Sequence, residues 1–362
     1  MKSCLKRMIF GMSLLGVFGD CIVQAAEADH TATITKFFGK AQILSNPSDK
    51  KQGPPPHVLF EGTYYNVEPA RMGSKVKIGS VIQTQEKTMV RLVYPNGDQI
   101  MISPSSSYRV SMEKKADDDK PISDLIYGKF RAVISKEGPR NTMEVRTRTM
   151  VMGIRGTDFH VVALDESGGS VVSVLRGAVA VAARAATPNE LVKPIEVKSG
   201  FSAKIPVAAP PASDQVGTTS AASPIQVAAT DKLDLRAIQE SVSFKKGQVE
   251  EPKVEPEIQK ELALLEQKAV ESTKQDIKGS DPDLYKRIEA AEAGGKKIDN
   301  IEVLQAVTIE KAIVRAPEPS LEKLEKLEKE GAIKKGEKPV RKPSSQELDD
   351  MEGSIYDKYF KR

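Results

Sequence analysis

Tryptophan is absent, aromatic residues make up only 5% of the chain, and histidine occurs three times, at His30, His57 and His160. With 29% charged residues against so few large apolar side chains, only part of the 362 residues can be packed around a core. Both cysteines, Cys4 and Cys21, fall within the first 26 residues. The rest of the chain therefore has no disulfide, no thiolate metal ligand and no cysteine nucleophile. Charge of one sign is also lacking: 54 Lys and Arg against 50 Asp and Glu leave +4, which is no footprint of a nucleic-acid binder. Beyond the N-terminus no apolar run is long enough to span a bilayer.

Catalytic patterns are missing as well. His160 lies two residues from Asp158, a spacing that puts both on one face of a strand, but no nucleophile is supplied nearby. Asp117, Asp118 and Asp119 lack the alternating oxygen ligands and glycine of a calcium loop and sit beside Lys114, Lys115 and Lys120. Gly153-x-x-Gly156 has no Lys-Ser/Thr and no helix signal after it, so it is not a phosphate cradle. The expectation is a non-enzyme, with no catalytic residue, cofactor or metal.

What is present divides the chain by composition. Residues 1–26 combine a basic start (MKSCLKR), an apolar stretch (MIFGMSLLGVFG) and small residues near Ala25, the grammar of a cleaved export signal. A lipidation site at Cys21 is the lesser reading, because Phe18-Gly19-Asp20 precedes it. Residues 27–205, with a core from about 60, hold the β-branched residues in short runs split by turn formers, which predicts an all-β domain. Within it Val90, Leu92 and Tyr94 alternate with positions assigned to solvent. Asn96-Gly97 then turns the chain into a hairpin returning through Ile100 and Ile102. Phe159, Val161 and Ala163, then Val172 and Val174, repeat the pattern, with a break at Gly177. A sandwich and a short-strand solenoid fit equally.

Residues 206–250 are rich in Pro, Ala, Ser and Thr and read as a flexible linker. Residues 251–362 read as a charged tail, partly helical and partly disordered. Ile258, Leu262 and Leu265 make a narrow stripe, Asp281-Pro282 starts a helix, and Gly294-Gly295 ends it. Leu321, Leu324 and Leu327 recur every third residue and drift around a helix. Ile355, Tyr356, Tyr359 and Phe360 form a terminal patch.

The run Val145 to Val161 (VRTRTMVMGIRGTDFHV) resembles the signature of the FecR domain, and the frames before it (GSVIQT, residues 79–84) and after it (VSVLRGAVAV, residues 172–181) are similar to that domain too. Arg148 stands where the family usually has proline. The resemblance marks Gly153, Arg155, Gly156, Thr157 and Phe159 as family-motif residues, structural or partner-binding. Arg155 carries five fixed donors and Gly156 no Cβ, so the expectation is a buried polar clamp at a tight crossing. Known members join a cytoplasmic segment that controls a sigma factor to a spanning helix and a periplasmic domain. A signal starting at Met1 implies the stand-alone exported form instead. The resemblance thus implies a periplasmic module for signalling or adaptor work that binds an envelope protein. The alternative is a wall-associated structural factor, held to anionic wall polymer or lipid headgroups by Lys334, Lys335, Lys338, Arg341 and Lys342.

Overall fold

The computed structural model describes residues 30–51, 56–113, 120–140, 142–164, 169–184, 193–206, 225–244, 254–294, 298 and 300–329. The export-signal reading, the acidic triplet, the basic segment 333–343 and the terminal patch lie outside the described residues.

Among the described residues eighteen strands precede the helices. They are β1 (Ala32–Phe38), β2 (Ala41–Ser48), β3 (His57–Phe60), β4 (Thr63–Pro69), β5 (Lys75–Val76), β6 (Val81–Thr84), β7 (Met89–Val93), β8 (Gln99–Ile102) and β9 (Ser107–Glu113). There follow β10 (Lys120–Val133), β11 (Glu144–Arg146), β12 (Met150–Ile154), β13 (Asp158–Ala163), β14 (Ser170–Arg176), β15 (Ala178–Ala183), β16 (Ile195–Lys198), β17 (Phe201–Ile205) and β18 (Gln226–Ala229). One sheet runs β5-β1-β7-β8-β10-β13-β14-β17-β18. The other runs β3-β4-β2-β6-β9-β10-β11-β12-β15-β16. Among the described strands every pairing is antiparallel except β10 with β11.

The 14-residue β10 belongs to both sheets. Up to Tyr127 it pairs with β9, and from Gly128 it pairs with β13 and then β8. Gly128 makes the transfer possible, since it sits at φ +96° and any Cβ there would meet Ser106 Cα at 2.5 Å. The two sheets face each other across one core. Ile34, Val90, Ile100, Phe130, Phe159 and Val172 of the first meet Ile43, Ile82, Tyr108, Val145, Val179 and Val197 of the second. Hairpins alternate between the layers as the chain advances: β11–β12 in the second sheet, β13–β14 in the first, β15–β16 in the second, β17–β18 in the first. The fold is thus a sandwich in packing with a solenoid's progression.

The predicted hairpin is present, with β7 paired to β8 and Tyr94 N donating to Asp98 O at 2.9 Å. Its outward positions are not solvated, which corrects the sequence reading. Met89, Arg91 and Val93 are all buried, because helices cover the outer face of the first sheet. The described helices are α1 (Lys232–Val242), α2 (Pro256–Ser280), α3 (Pro282–Ala293) and α4 (Ile301–Arg315), which form the cover, and α5 (Leu321–Lys329), which does not. Met89, Met101 and Leu175 pack with Leu235, Ile238 and Val242 of α1 and Ile309 of α4. Val93 joins Val270 and Ile277 of α2, Leu284 of α3 and Leu304 of α4.

Two expectations change with this layer. Residues 225–244, assigned to a linker, form β18 and α1, with Asp231 capping the helix through Asp234 N at 3.0 Å. The helices of the predicted charged tail have a core, supplied by the sheet. Each narrow stripe suffices because it meets apolar positions on β7, β8 and β14. The helix starts were legible. Asp281 accepts from Leu284 N at 3.2 Å, and Gly294 closes α3. The drifting leucines of α5 bury nothing, and Leu321 stays 72% exposed.

Candidate functional site

The five family-motif residues occupy β12, a turn and the start of β13. Arg155 is exposed and makes no ion pair or hydrogen bond with the described residues, so it is not the buried clamp expected of it. The clamp exists, built from other residues. Among the described residues the largest fully buried side chains are Arg91, Arg131 and Arg140.

Arg131 on β10 lies beside the motif. Its Nε donates to Asp158 Oδ1 at 2.8 Å and its Nη2 to Asp158 Oδ2 at 2.7 Å, a two-pronged pair with both partners buried. Asp158 directly follows Gly156-Thr157, so the motif contributes its carboxylate to the clamp and its arginine to the surface. Arg140 donates through Nε to Asp98 Oδ2 at 2.8 Å, while Asp98 Oδ1 accepts from Ser135 N at 2.8 Å. The Arg140 guanidinium also stacks 3.7 Å above the Tyr94 ring, fixing the β7–β8 turn.

Arg91 ties the helices to the sheet. Its Nη1 donates to Glu266 of α2 at 2.8 Å and its Nη2 to Glu302 of α4, which also accepts from Lys36. Burial works against the Arg91 charge, but Glu266 and Glu302 outweigh it and hold the guanidinium above its ordinary value. Burial likewise pushes Glu302 up, and Arg91 and Lys36 overcome this, taking it to about 2. Gln99 adds neutral bonds: its Nε2 donates to Thr273 Oγ1 at 2.9 Å, and its Oε1 accepts from Gln305 Nε2 at 3.0 Å.

Gly156 has φ +63°, and a Cβ there would lie 2.6 Å from Lys136 Cβ and 2.8 Å from Lys136 Cα. The tight crossing expected at this glycine is therefore real. Gly153 is different, because its added Cβ would meet only Ala180 Cβ at 3.8 Å. Thr157 and Phe159 are wholly buried. Phe159 stacks edge-on with Phe130 at 6.0 Å, and Phe130 with Tyr108 at 5.5 Å, a ladder through the core. At Arg148, the departure from the family pattern, the turn is closed by Thr147 Oγ1, which accepts from Met150 N at 3.0 Å.

His160 and Asp158 do not act together. Asp158 is engaged by Arg131, and His160 Nε2 lies 3.3 Å from Ser241 Oγ of α1. Burial first, then Lys129 and Arg131, lowers the imidazole to about 3. The sign follows directly. An unfolded histidine takes a proton near pH 6.5 and the folded one resists until about 3, so stability falls as pH drops through that window. The loss reaches at most about 1.4 kcal/mol per pH unit. Glu302 adds to it from about pH 4.5 downward, where the unfolded carboxylate protonates first. Urea midpoints between pH 7 and 5 are expected to fall for the native chain and to stay nearly level for His160→Gln.

A surface suited to a protein partner lies at one end of the sandwich. Among the described residues β18 pairs only with β17, and all four of its residues are exposed and uncharged. The register places Val227 opposite Ala203 and Ala229 opposite Phe201, so these four share the inward face of their sheet. Across the gap, Ile195 has the same inward parity as buried Val197. Yet Ile195, Phe201 and Val227 are 42%, 44% and 43% exposed. The end of the core is thus not sealed by any described residue. The mark of this edge in the sequence is the short QVAA run, free of charge and proline.

No group of three or more metal-ligating side chains is present among the described residues, and no described helix is long and apolar enough to cross a membrane. Residues 80–180 match the family model described as FecR protein. No curated protein matches the chain. Two crystal structures of a "putative anti-sigma factor" from Parabacteroides distasonis ATCC 8503, at 2.50 and 1.65 Å, overlap with 43% of this chain at 16% identity and a TM-score of 0.32. The overlap spans 63% and 64% of their own lengths.

Proposed function

We propose that this chain, whose residues 80–180 carry a FecR domain, is a non-enzymatic regulatory module of the cell envelope that works by binding another protein. The observation that carries the reading is the open end of the sandwich. An unguarded edge strand offers main-chain donors and acceptors, and the exposed inward positions Ile195, Phe201 and Val227 offer pockets for alternate side chains of an added strand. Native sheets usually protect such edges with charge, and β18 has none. The export-signal grammar of residues 1–26 supports a periplasmic setting.

A Val227→Lys substitution puts a charge on the inward face of the edge strand. At a site already 43% exposed it is expected to change stability by no more than about 0.5 kcal/mol. Pull-down from native envelope extract with the full chain is expected to retain one protein at low and high salt, and the variant to lose it. Retention that disappears in high salt would favour attachment through Lys334, Lys335, Lys338, Arg341 and Lys342. Equal retention by both chains would remove the edge from the account.

A second reading has its own observation. Arg155 is a family-motif residue that is exposed and pairs with no described residue, a geometry fit for a partner carboxylate.

A further inference from the structure

A cleft of about 470 Å³ opens where the first sheet meets the helices, within the roughly 300–1,000 Å³ usual for small-molecule sites. The turn between β14 and β15 and the turn that leads into β17 form one wall, and α1, α3 and α4 form the other. Its surface is mainly apolar, with Leu235, Leu284, Phe201 and Ala312 among the contributors. One cation in the wall is poorly satisfied. Arg176 is only 7% exposed, yet its Nη1 reaches Thr273 O at 3.5 Å and its Nη2 lies 3.5 Å from Asp276 Oδ2. Neither Nη2 nor Asp276 Oδ2 has a hydrogen bond among the described residues. The three arginines of the ionic clamps hold carboxylates at 2.7–2.8 Å, so 3.5 Å marks Arg176 as under-bonded. The other buried cation of the cleft, Lys311, is already paired with Asp281 at 3.0 Å.

We infer that this cleft binds a small amphiphile with one carboxylate head, the head meeting Arg176 and an unbranched apolar tail lying against Leu235, Leu284 and Ala312. A single carboxylate fits because one guanidinium fork is short of acceptors, and its planar donors match that shape. Both layers line the cleft, so an occupant holds the helices to the sheet and raises the melting temperature. The inference does not depend on the edge-strand reading, which rests on β18; of the three exposed side chains named there only Phe201 also borders the cleft.

Calorimetric titration of the full chain with decanoate below its micellar concentration tests it, with 1-decanol and decyltrimethylammonium as controls. Saturable binding of one decanoate is expected, at least tenfold tighter than either control, with a rise in melting temperature. Arg176→Met is expected to reduce the preference for decanoate over decanol to less than twofold. Ala312→Phe, which places a ring in the cleft and leaves Arg176 in place, is expected to weaken decanoate at least tenfold and keeps the test valid should the first variant fail to fold. Absence of saturable binding, equal affinity for decanol, or unchanged affinity in Ala312→Phe would overturn the inference.

Discussion

Asp158→Ala is expected to destabilise the protein by roughly 3–5 kcal/mol, the usual cost of leaving one partner of a buried ion pair alone. Arg131 is 1% exposed and takes both of its short carboxylate bonds from Asp158. Without them the guanidinium is stranded on the outer face of the first sheet, beside Met101 of β8 and His160 of β13, and water reaches it only if the helical layer lifts. Against a total stability of about 5–15 kcal/mol, the loss is enough to populate unfolded chains at moderate temperature. The matched control is Arg131→Met with Asp158→Leu, which removes both charges and is expected to recover most of the loss. Urea denaturation of the three chains reads the result. A single-variant loss below about 1 kcal/mol would show that the pair is solvated or replaceable.

Gly156→Ala is expected to cost roughly 2–5 kcal/mol, from two sources acting at one atom. Holding an L-residue at φ +63° costs about 1–2 kcal/mol, and forcing the new methyl against the Lys136 backbone at 2.8 Å adds about 1–3 kcal/mol of overpacking. Lys136 Cα cannot rotate away as a side-chain tip could, so the segment after β10 and the β12–β13 turn must shift. Gly153→Ala, in the same motif, is expected to change stability by no more than about 0.5 kcal/mol because its nearest neighbour is 3.8 Å away. Thermal melts of the two variants separate them. Equal effects would mean that the motif's glycines are required for something other than the crossing.

These two residues show why the motif was only half legible. The sequence pattern correctly marks a tight turn that needs Gly156, and it correctly implies a buried charge nearby. It assigns that charge to the wrong arginine, because Arg155 is adjacent in sequence whereas Arg131 reaches Asp158 across β10 and β13. A pairing between residues 27 apart depends on strand register, which periodicity alone does not supply. Arg91 was hidden differently. In MVRLV it occupies an outward position, and alternation assigns such positions to solvent unless a further layer covers them. The clue was that Met89, Val93, Met101 and Leu175, which also point outward from this sheet, are apolar. A face carrying those side chains calls for a cover, and helices α1, α2 and α4 supply it from a region whose composition resembles a linker and tail.

The core required no such inference. Val90, Leu92, Ile100, Ile102, Phe159, Val161, Val172 and Val174 all face inward as alternation dictates. The choice between sandwich and solenoid was not available from periodicity because both properties hold, opposed sheets and steady advance of hairpins.

If the motif is the scaffold and the unsealed end is the working surface, a partner must lie against β18. Site-specific photo-crosslinking in living cells tests this most directly, with a photoreactive phenylalanine analogue replacing Val227 in one chain and Arg155 in another. The account predicts a discrete protein adduct from position 227 and none from position 155. An adduct from position 155 alone would contradict it and place the partner on the exposed motif arginine.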